Sequence, residues 1–164
     1  MKFKFPSKYK IYVLILLLFL AYLFPSLTFT VDNTSEFVVS RVIDGDTVEL
    51  SNGQKVRYIG IDTPESVKPG SPVECYALEA KAKNSELVLN KHVVLERDVN
   101  EADKYGRLLR YVWVDGLLIN EILIKEGFAH AVSYPPDIKY QEQLRLAERE
   151  ARDLKKGIWG ANCD

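Results

Sequence analysis

Hydrophobic and polar residues alternate over several short stretches between residues 37 and 132, and turn signals separate these stretches. Alternation with a period of two is typical of strands with one buried face. Asp-Gly and Asn-Gly pairs between the stretches favour tight turns. The predicted strands cover Phe37–Ile43, Thr47–Leu50, Val56 to Asp62 or Thr63 (where Pro64 ends the ladder), His92–Asp98, Leu108–Val114 and, briefly, Ala129–Val132.

Other segments repeat their apolar residues with helical spacing instead. The last of them is a long charged amphipathic helix, whose inward face is predicted to contain Leu144, Leu146 and Ala147. Gly157 suits the C-cap of that helix, and Trp159 is expected to fold back on the body. The predicted helices run from Glu74 to about Asn90, from Asn120 to Gly127 and from Lys139 to Lys156.

This order of elements indicates one small α+β domain. Three strands, a helix, two strands and a C-terminal helix fit a closed five-stranded barrel of the oligonucleotide-binding (OB) type. A chain of 164 residues is long enough for one domain with a real core. We therefore predict an OB-fold barrel with three α-helices over residues 37–164, preceded by one hydrophobic N-terminal helix.

Residues 1–31 have a different pattern. Lysines at positions 2, 4, 8 and 10 precede Ile11–Phe24, a run without charge. A positive end followed by an apolar run is typical of an export signal, and the run to Val31 reaches the ~20 residues of a membrane-spanning helix. Because no A-x-A cleavage pattern follows, an uncleaved anchor is favoured over a cleaved signal peptide. The lysines then stay in the cytoplasm, and a polar linker at residues 32–36 leads to a domain outside the cell, anchored or secreted.

The distribution of charge restricts how this domain can bind phosphate. The formal net charge is −1, but four of the 22 basic residues precede residue 31, where no acidic residue occurs. The rest of the chain therefore has 18 basic and 23 acidic residues, a formal charge of −5. A basic footprint for nucleic acid is absent at this level, so phosphate affinity requires a local cluster or a bound metal.

The chain contains two cysteines, Cys75 and Cys163. A pair of cysteines in an exported domain favours a disulfide, with two free thiols as the alternative. Such a bridge closes a long loop and stabilises by roughly 4 kcal/mol on the chain-entropy model. A zinc site is not expected, because the two histidines, His92 and His130, form no cluster with cysteine.

Four carboxylates occur beside predicted turns and strand ends. Asp44 and Asp46 belong to the turn after the first strand, and Asp62 and Glu65 follow the end of the third. Antiparallel pairing brings the turn and the strand end together, where oxygen ligands suit a calcium-type ion. We predict Asp46, Asp62 and the Thr63 carbonyl as ligands, with Asp44 acting through water. A lone Asp-Gly pair would be only a turn, and the clustering favours the metal site.

Two arginines complete a set of groups suited to phosphodiester hydrolysis. Arg57 and Arg107 can each grip phosphate oxygens with a planar fork, and Glu65 can orient or deprotonate a water. A cation would polarise the phosphate and lower the pKa of bound water. Three more residues are candidates for substrate binding, although a core or surface role is equally open for the two tyrosines: Tyr105, Tyr134 and Lys104.

The chain from Phe37 to Trp159 resembles the staphylococcal nuclease, or thermonuclease, family. The resemblance depends on separated motifs that occur in the family's order and cover nearly the whole predicted domain. These motifs are Ile43-Asp44-Gly45-Asp46-Thr47, Arg57 with Asp62-Thr63-Pro64-Glu65, Asp103-Lys104-Tyr105-Gly106-Arg107, Asn120-Glu121 and Gly157-Ile158-Trp159.

The resemblance implies a calcium-dependent nuclease that cuts DNA and RNA and leaves 3′-phosphates, and single strands are the expected substrates because the body is acidic. The acidic body and the presence of only Tyr134 in a segment where the family has tyrosines depart from its pattern. A non-catalytic binding module is the alternative, but such a module is expected to lack some of these arginines or carboxylates. By the resemblance, the catalytic residues are Arg57, Glu65 and Arg107, and the calcium ligands are Asp46, Asp62 and Thr63. Nothing in the sequence argues against a monomer.

Overall fold

The computed structural model describes residues 36–66, 70, 72–161 and 163. The anchor or signal peptide predicted for residues 1–31 lies outside the described residues, as does all but the last residue of the predicted linker. Within the described ranges, no helix is both long and apolar enough to cross a membrane.

The predicted strands and helices occur in the predicted order along the described part, with the third strand divided in two and a short strand added before the second helix. The strands are β1 (Glu36–Asp44), β2 (Thr47–Leu50), β3 (Lys55–Tyr58), β4 (Ile61–Asp62), β5 (His92–Glu96), β6 (Leu108–Val114), β7 (Leu117–Leu118) and β8 (His130–Ala131). The helices are α1 (Ala77–Val88), α2 (Ile119–Lys125) and α3 (Gln141–Asp153), and a 3₁₀ turn covers Gly157–Trp159.

Five of these strands close into a barrel. Antiparallel pairs join β3 to β2, β2 to β1, β1 to β5 and β5 to β6. A parallel pair between β3 and β6 closes the ring, which confirms the predicted OB-type barrel. Closure leaves none of these five strands with a free edge.

The core fills the barrel and extends under the helices. Alternate strand residues point inward, and each helix contributes its apolar stripe to the same cluster. Fully buried members include Val39, Val48, Val56, Tyr111, Val112, Val88, Leu123 and Leu144. The barrel is therefore a solid support whose rims are free to hold polar groups.

The third predicted strand is wrong in one respect, because it is broken into two. β3 ends at Tyr58, and β4 leaves the barrel to pair with β8. Between them Gly60 has φ +78°, and a Cβ there would lie 2.5 Å from the Leu144 side chain. This reversal requires glycine and moves Asp62 into a separate two-stranded ladder beside the barrel.

The end of α3 also differs from the prediction. The helix ends at Asp153, and the first left-handed residue after it is Lys155, at φ +51°, rather than the predicted C-cap residue Gly157. Gly157 instead begins the 3₁₀ turn. Leu146 was predicted to point inward but is 52% exposed. The solvent-exposed face of α3 therefore includes this leucine, which the apolar spacing placed on the buried face.

The C-terminal segment is attached to the body at two points. Trp159 folds back as predicted, with its ring edge-on to His130 at 4.8 Å and 4.1 Å from the Arg152 guanidinium carbon. Cys163 forms a disulfide with Cys75, with the two Cα atoms 5.6 Å apart. The pairing favoured by the sequence is thus present in the structure.

Candidate active site

The turn between β1 and β2 buries two carboxylates. Asp44 and Asp46 are each 5% exposed. Gly45 lies against Thr63 so closely that a Cβ would be 2.7 Å from the threonine Oγ1, so only glycine fits. Thr63 donates its backbone N–H and its hydroxyl to Asp46 Oδ2, at 3.0 and 3.1 Å. The predicted turn is therefore tied directly to the end of β4.

Arg57 joins the two carboxylates that are predicted to bind metal. Its Nη1 lies 2.7 Å from Asp46 Oδ2, and its Nη2 lies 2.6 Å from Asp62 Oδ1. Nη1 also donates to the Ile61 carbonyl at 3.0 Å. Burial raises the pKa of Asp46, and the Arg57 guanidinium opposes that rise. Arg57 thus holds a buried carboxylate and an exposed one side by side.

Glu65 meets Asp44 on the other side of the same turn. The protonated Glu65 carboxyl donates a hydrogen bond to Asp44, and this bond, then burial, then the charges of neighbouring carboxylates raise the pKa of Glu65 to about 7. Asp44 Oδ1 also accepts a hydrogen bond from the Ser66 hydroxyl at 2.7 Å. Asp44, predicted to act on the metal through water, therefore holds the segment that carries Glu65.

Arg107 belongs to a compact turn at the start of β6. Asp103 Oδ1 accepts the backbone N–H groups of Tyr105 and Arg107, at 2.9 and 3.0 Å. Asp103 Oδ2 accepts from Arg107 Nε at 2.7 Å. One aspartate thus fixes both the backbone of the turn and one edge of the guanidinium.

One groove of about 680 Å³ brings the two arginines together. Arg57 comes from β3 and Arg107 from the turn before β6, and the parallel β3–β6 pair sets Arg57 opposite Leu109. The four acidic residues predicted for the site do not line this groove; they are Asp44, Asp46, Asp62 and Glu65. They adjoin it through Arg57, which contacts Asp46 and Asp62.

The three residues predicted to bind substrate, Lys104, Tyr105 and Tyr134, all line the groove. Tyr105 and Tyr134 are 73% and 66% exposed, so neither is a core residue. Lys104 Nζ and Arg107 Cζ lie 5.0 and 5.5 Å from the centre of the Tyr105 ring. Exposed aromatic faces among cations are suited to stacking on the bases of a single strand.

Comparison with known proteins identifies the family to which this chain belongs. The family model described as "Staphylococcal nuclease homologue" matches residues 55–161. The thermonuclease of Staphylococcus hyicus is 46% identical over 130 residues, which are 77% of this chain and 77% of that protein. The chain belongs to the staphylococcal nuclease family. Two further relatives of similar sequence identity are the thermonuclease of Staphylococcus intermedius and endonuclease YncB of Bacillus subtilis (strain 168).

The coverage of these two relatives differs. The Staphylococcus intermedius protein is 44% identical over 126 residues, 75% of each chain. Endonuclease YncB is 48% identical over 126 residues, which are 74% of this chain but only 60% of that protein.

Two buried asparagines hold this staphylococcal nuclease site in place, and the sequence pattern did not indicate their roles. Asn84 of α1 accepts the Tyr58 hydroxyl at 3.0 Å and donates to the Asp44 carbonyl at 3.2 Å. Asn120 of α2 donates to the Ile59 carbonyl at 2.8 Å, beside the β3–β4 corner. A polar residue among the apolar positions of a helix was the available signal, because buried amides require partners.

Asp137 is a third residue that the pattern did not indicate. Its Oδ1 accepts the backbone N–H groups of Val99 and Asn100, at 3.0 and 2.9 Å. Its own N–H donates to the Tyr134 carbonyl at 3.0 Å. This buried carboxylate therefore fixes the turn that presents Tyr134 to the groove.

The predicted calcium ligands are a small set of hard oxygens. Across the described ranges there is no group of three or more His, Cys, Asp or Glu side chains placed to hold a metal ion. Asp46 and Asp62 supply two carboxylates that both pair with Arg57, and the Thr63 carbonyl is the third predicted ligand. The charges of Asp44 and Asp46 are among the causes that raise the pKa of Glu65, so these two carboxylates lie close to it. Hard oxygens are the donors that a calcium-sized ion prefers, and such an ion held here would complete its shell with water or substrate oxygens.

Proposed function

We propose that this chain is a calcium-dependent nuclease that hydrolyses DNA and RNA outside the cytoplasm and leaves 3′-phosphate products. The position of Arg57 carries the proposal. Its guanidinium contacts Asp46 and Asp62, and it also lines the groove that contains Arg107. Arg57 therefore connects the proposed phosphate-binding groove with the proposed metal-binding carboxylates. The relatives named thermonuclease and endonuclease support the same chemistry.

The groove binds a single strand in this proposal. Tyr105 and Tyr134 stack on unpaired bases, and Lys104 attracts the backbone phosphates. The bases of a duplex are already stacked on each other and cannot use these rings. The negative charge of the domain as a whole also disfavours long duplex DNA, so the local groups in the groove decide binding.

Arg57 and Arg107 bind the nonbridging oxygens of the scissile phosphate. Each guanidinium presents a planar fork that matches two phosphate oxygens. Asp62 and Asp103 hold these forks before substrate arrives. Negative charge that builds up on the phosphate and on the leaving 5′-oxygen is neutralised by donors that need little reorganisation.

Glu65 accepts the proton of the attacking water. A carboxylate close to the phosphate but outside the ligand set is suited to orienting that water in line with the leaving oxygen. Asp44 and Ser66 hold the segment from which Glu65 projects. Glu65 and the two arginines therefore approach the phosphate from different elements of the barrel.

Asp46, Asp62 and the Thr63 carbonyl would hold the calcium ion, with Asp44 acting through a water. When bound, the ion would polarise the phosphate and lower the pKa of a nearby water. Millimolar calcium outside cells fills even a weak site. This requirement agrees with the export predicted from residues 1–31, for a monomer anchored in the cell membrane or secreted.

Cleavage of a 5′-labelled single-stranded DNA by the purified full chain tests this proposal. We expect cleavage with calcium and loss of cleavage with the chelator EGTA. A 3′-phosphatase should remove the terminal phosphate from each labelled product and thereby lower its negative charge. Glu65→Gln should lower kcat by about 10²- to 10⁴-fold, the range of a general base. Glu86→Gln, which changes an exposed glutamate of α1, is the matched control.

Two outcomes would contradict the proposal. Cleavage that continues unchanged in EGTA would exclude the calcium-dependent mechanism. Binding of the oligonucleotide without any cleavage by the parent would instead support a non-catalytic module of the same fold.

A further inference from the structure

Glu74 holds the backbone of Glu65 from both sides. Glu74 Oε2 accepts the Glu65 N–H at 2.9 Å. The backbone N–H of Glu74 donates to the Glu65 carbonyl at 3.0 Å. These two bonds fix the peptide groups before and after the Glu65 Cα, so they determine where the Glu65 side chain begins and which way it points.

Glu74 is itself anchored through its neighbours. Its carbonyl accepts the N–H of Ala77, the fully buried first residue of α1, at 3.1 Å. Cys75, the next residue after Glu74, is joined by a disulfide to Cys163. Since the Glu74 side chain is exposed, its hydrogen bond to Glu65 competes with water. Because its neighbours hold Glu74 in place, the hydrogen bond to Glu65 is favoured over one to water.

The two cysteine-bearing segments meet because both attach to the corner between α2 and β8. The Tyr76 ring packs against Phe128, with ring centres 5.6 Å apart. Ile158 donates its N–H to the Gly127 carbonyl at 2.9 Å. Phe128 and Gly127, adjacent residues of this corner, thus contact the segment just before α1 and the C-terminal turn, respectively. The disulfide joins the two segments beyond these contacts.

We propose that Glu74 is a positioning residue for Glu65 and that the Cys75–Cys163 disulfide maintains this contact. The proposal rests on the catalytic role proposed above for Glu65. Glu74 and the two cysteines do not line the groove that contains Tyr105 and Tyr134. Their loss therefore affects the rate of the chemical step and leaves binding of the strand unchanged.

The first test separates kcat from KM with the full chain and a single-stranded DNA. Glu74→Ala should lower kcat about three- to tenfold, as expected for one lost hydrogen bond, with KM unchanged. Glu74→Gln should restore kcat, because its amide oxygen can accept the same N–H. Glu79→Ala, an exposed glutamate in the first turn of α1, is the control. An unchanged kcat in Glu74→Ala would overturn the proposal.

The second test asks whether the disulfide acts through Glu74. The variant with Cys75→Ser and Cys163→Ser should also lose kcat at constant KM. In that background, adding Glu74→Ala should cost less than it does in the parent, because the contact is already weakened. Fully additive losses would show that the disulfide and Glu74 act independently, and would overturn the link.

A third measurement does not depend on activity. Amide hydrogen exchange at the Glu65 N–H should be slow in the parent and in Glu74→Gln, and faster in Glu74→Ala and in the cysteine-free variant. If the parent cuts no DNA, the proposed function fails, while this comparison still decides whether Glu74 holds Glu65. Equal exchange in all four proteins would overturn the proposal.

Discussion

The two sides of Arg57 are built in opposite ways. On the acidic side, Asp44, Asp46 and Thr63 are buried and bonded to groups from other elements. On the groove side, Tyr105 and Tyr134 are mostly exposed and project from turns. The acidic side therefore depends on the closed barrel, whereas the groove side depends on local turns. Changes on the first should affect stability and chemistry together, and changes on the second should affect function alone.

The two arginines show the same difference within one chemical role. The Arg57 side chain is 15% exposed, and its partner Asp46 belongs to another part of the barrel. The Arg107 side chain is 29% exposed and pairs with Asp103 inside its own five-residue turn. Loss of Arg57 leaves a buried carboxylate without its cation, whereas loss of Arg107 leaves a turn that Asp103 still bonds to the backbone.

Arg57→Gln should have the largest effect. We expect kcat to fall about 10²- to 10³-fold, because one preorganised donor to the phosphate is lost. In calcium-free buffer the free energy of unfolding should fall by about 3 kcal/mol, since breaking a buried ion pair strands Asp46. Enzyme kinetics and urea unfolding would measure the two effects.

Arg41→Gln is the matched control for this variant. Arg41 is an exposed arginine of the barrel strand β1 and pairs with Glu49. An exposed pair contributes less than about 1 kcal/mol, so this variant should retain both activity and stability. An Arg57→Gln protein as stable as the Arg41→Gln protein would show that the acidic side does not depend on its ion pair.

Arg107→Gln should lose as much activity as Arg57→Gln but little stability. We expect the same fall in kcat, about 10²- to 10³-fold. The free energy of unfolding should change by less than about 1 kcal/mol, because the Arg107–Asp103 pair is local and partly exposed. A loss of stability equal to that of Arg57→Gln in the same urea titration would remove the distinction between the two sides.

Local patterns in the sequence were sufficient for much of this fold. β2 and β6 begin and end at the predicted residues, because alternation and the flanking turn pairs are properties of neighbouring residues. The separate motifs around Asp46, Arg57 and Arg107 were also visible as local clusters. The closed barrel followed from the order of the elements and the need to cover strand edges.

Features that depend on distant partners were not visible. The break at Gly60 follows from pairing between β4 and β8, which lie about 70 residues apart in the chain. Asn84 and Glu74 looked like ordinary residues of the first predicted helix until the fold placed Asp44 and Glu65 beside them. Spacing along the chain carries no information on such contacts.

Calcium should stabilise the acidic side specifically. A calcium concentration of 100 times Kd should raise the free energy of unfolding by about 2.7 kcal/mol, because the ion binds only the folded site. Asp46→Asn should abolish this gain in thermal unfolding. Asp115→Asn, in the exposed β6–β7 hairpin, should retain the full gain and serves as the control. A calcium-induced shift of Tm that survives Asp46→Asn would place the ion elsewhere.

Tyr134→Leu should have the smallest effect and change binding alone. Loss of one stacking partner costs about 1 kcal/mol at the low end of the measured range, so KM should rise roughly fivefold while kcat stays constant. Tyr134→Phe keeps an aromatic face and should behave as the parent. Because Asp137 fixes this turn through its backbone, neither change should lower Tm. A fall in kcat at constant KM would mean that the exposed side also positions reacting groups, and the contrast across Arg57 would no longer hold.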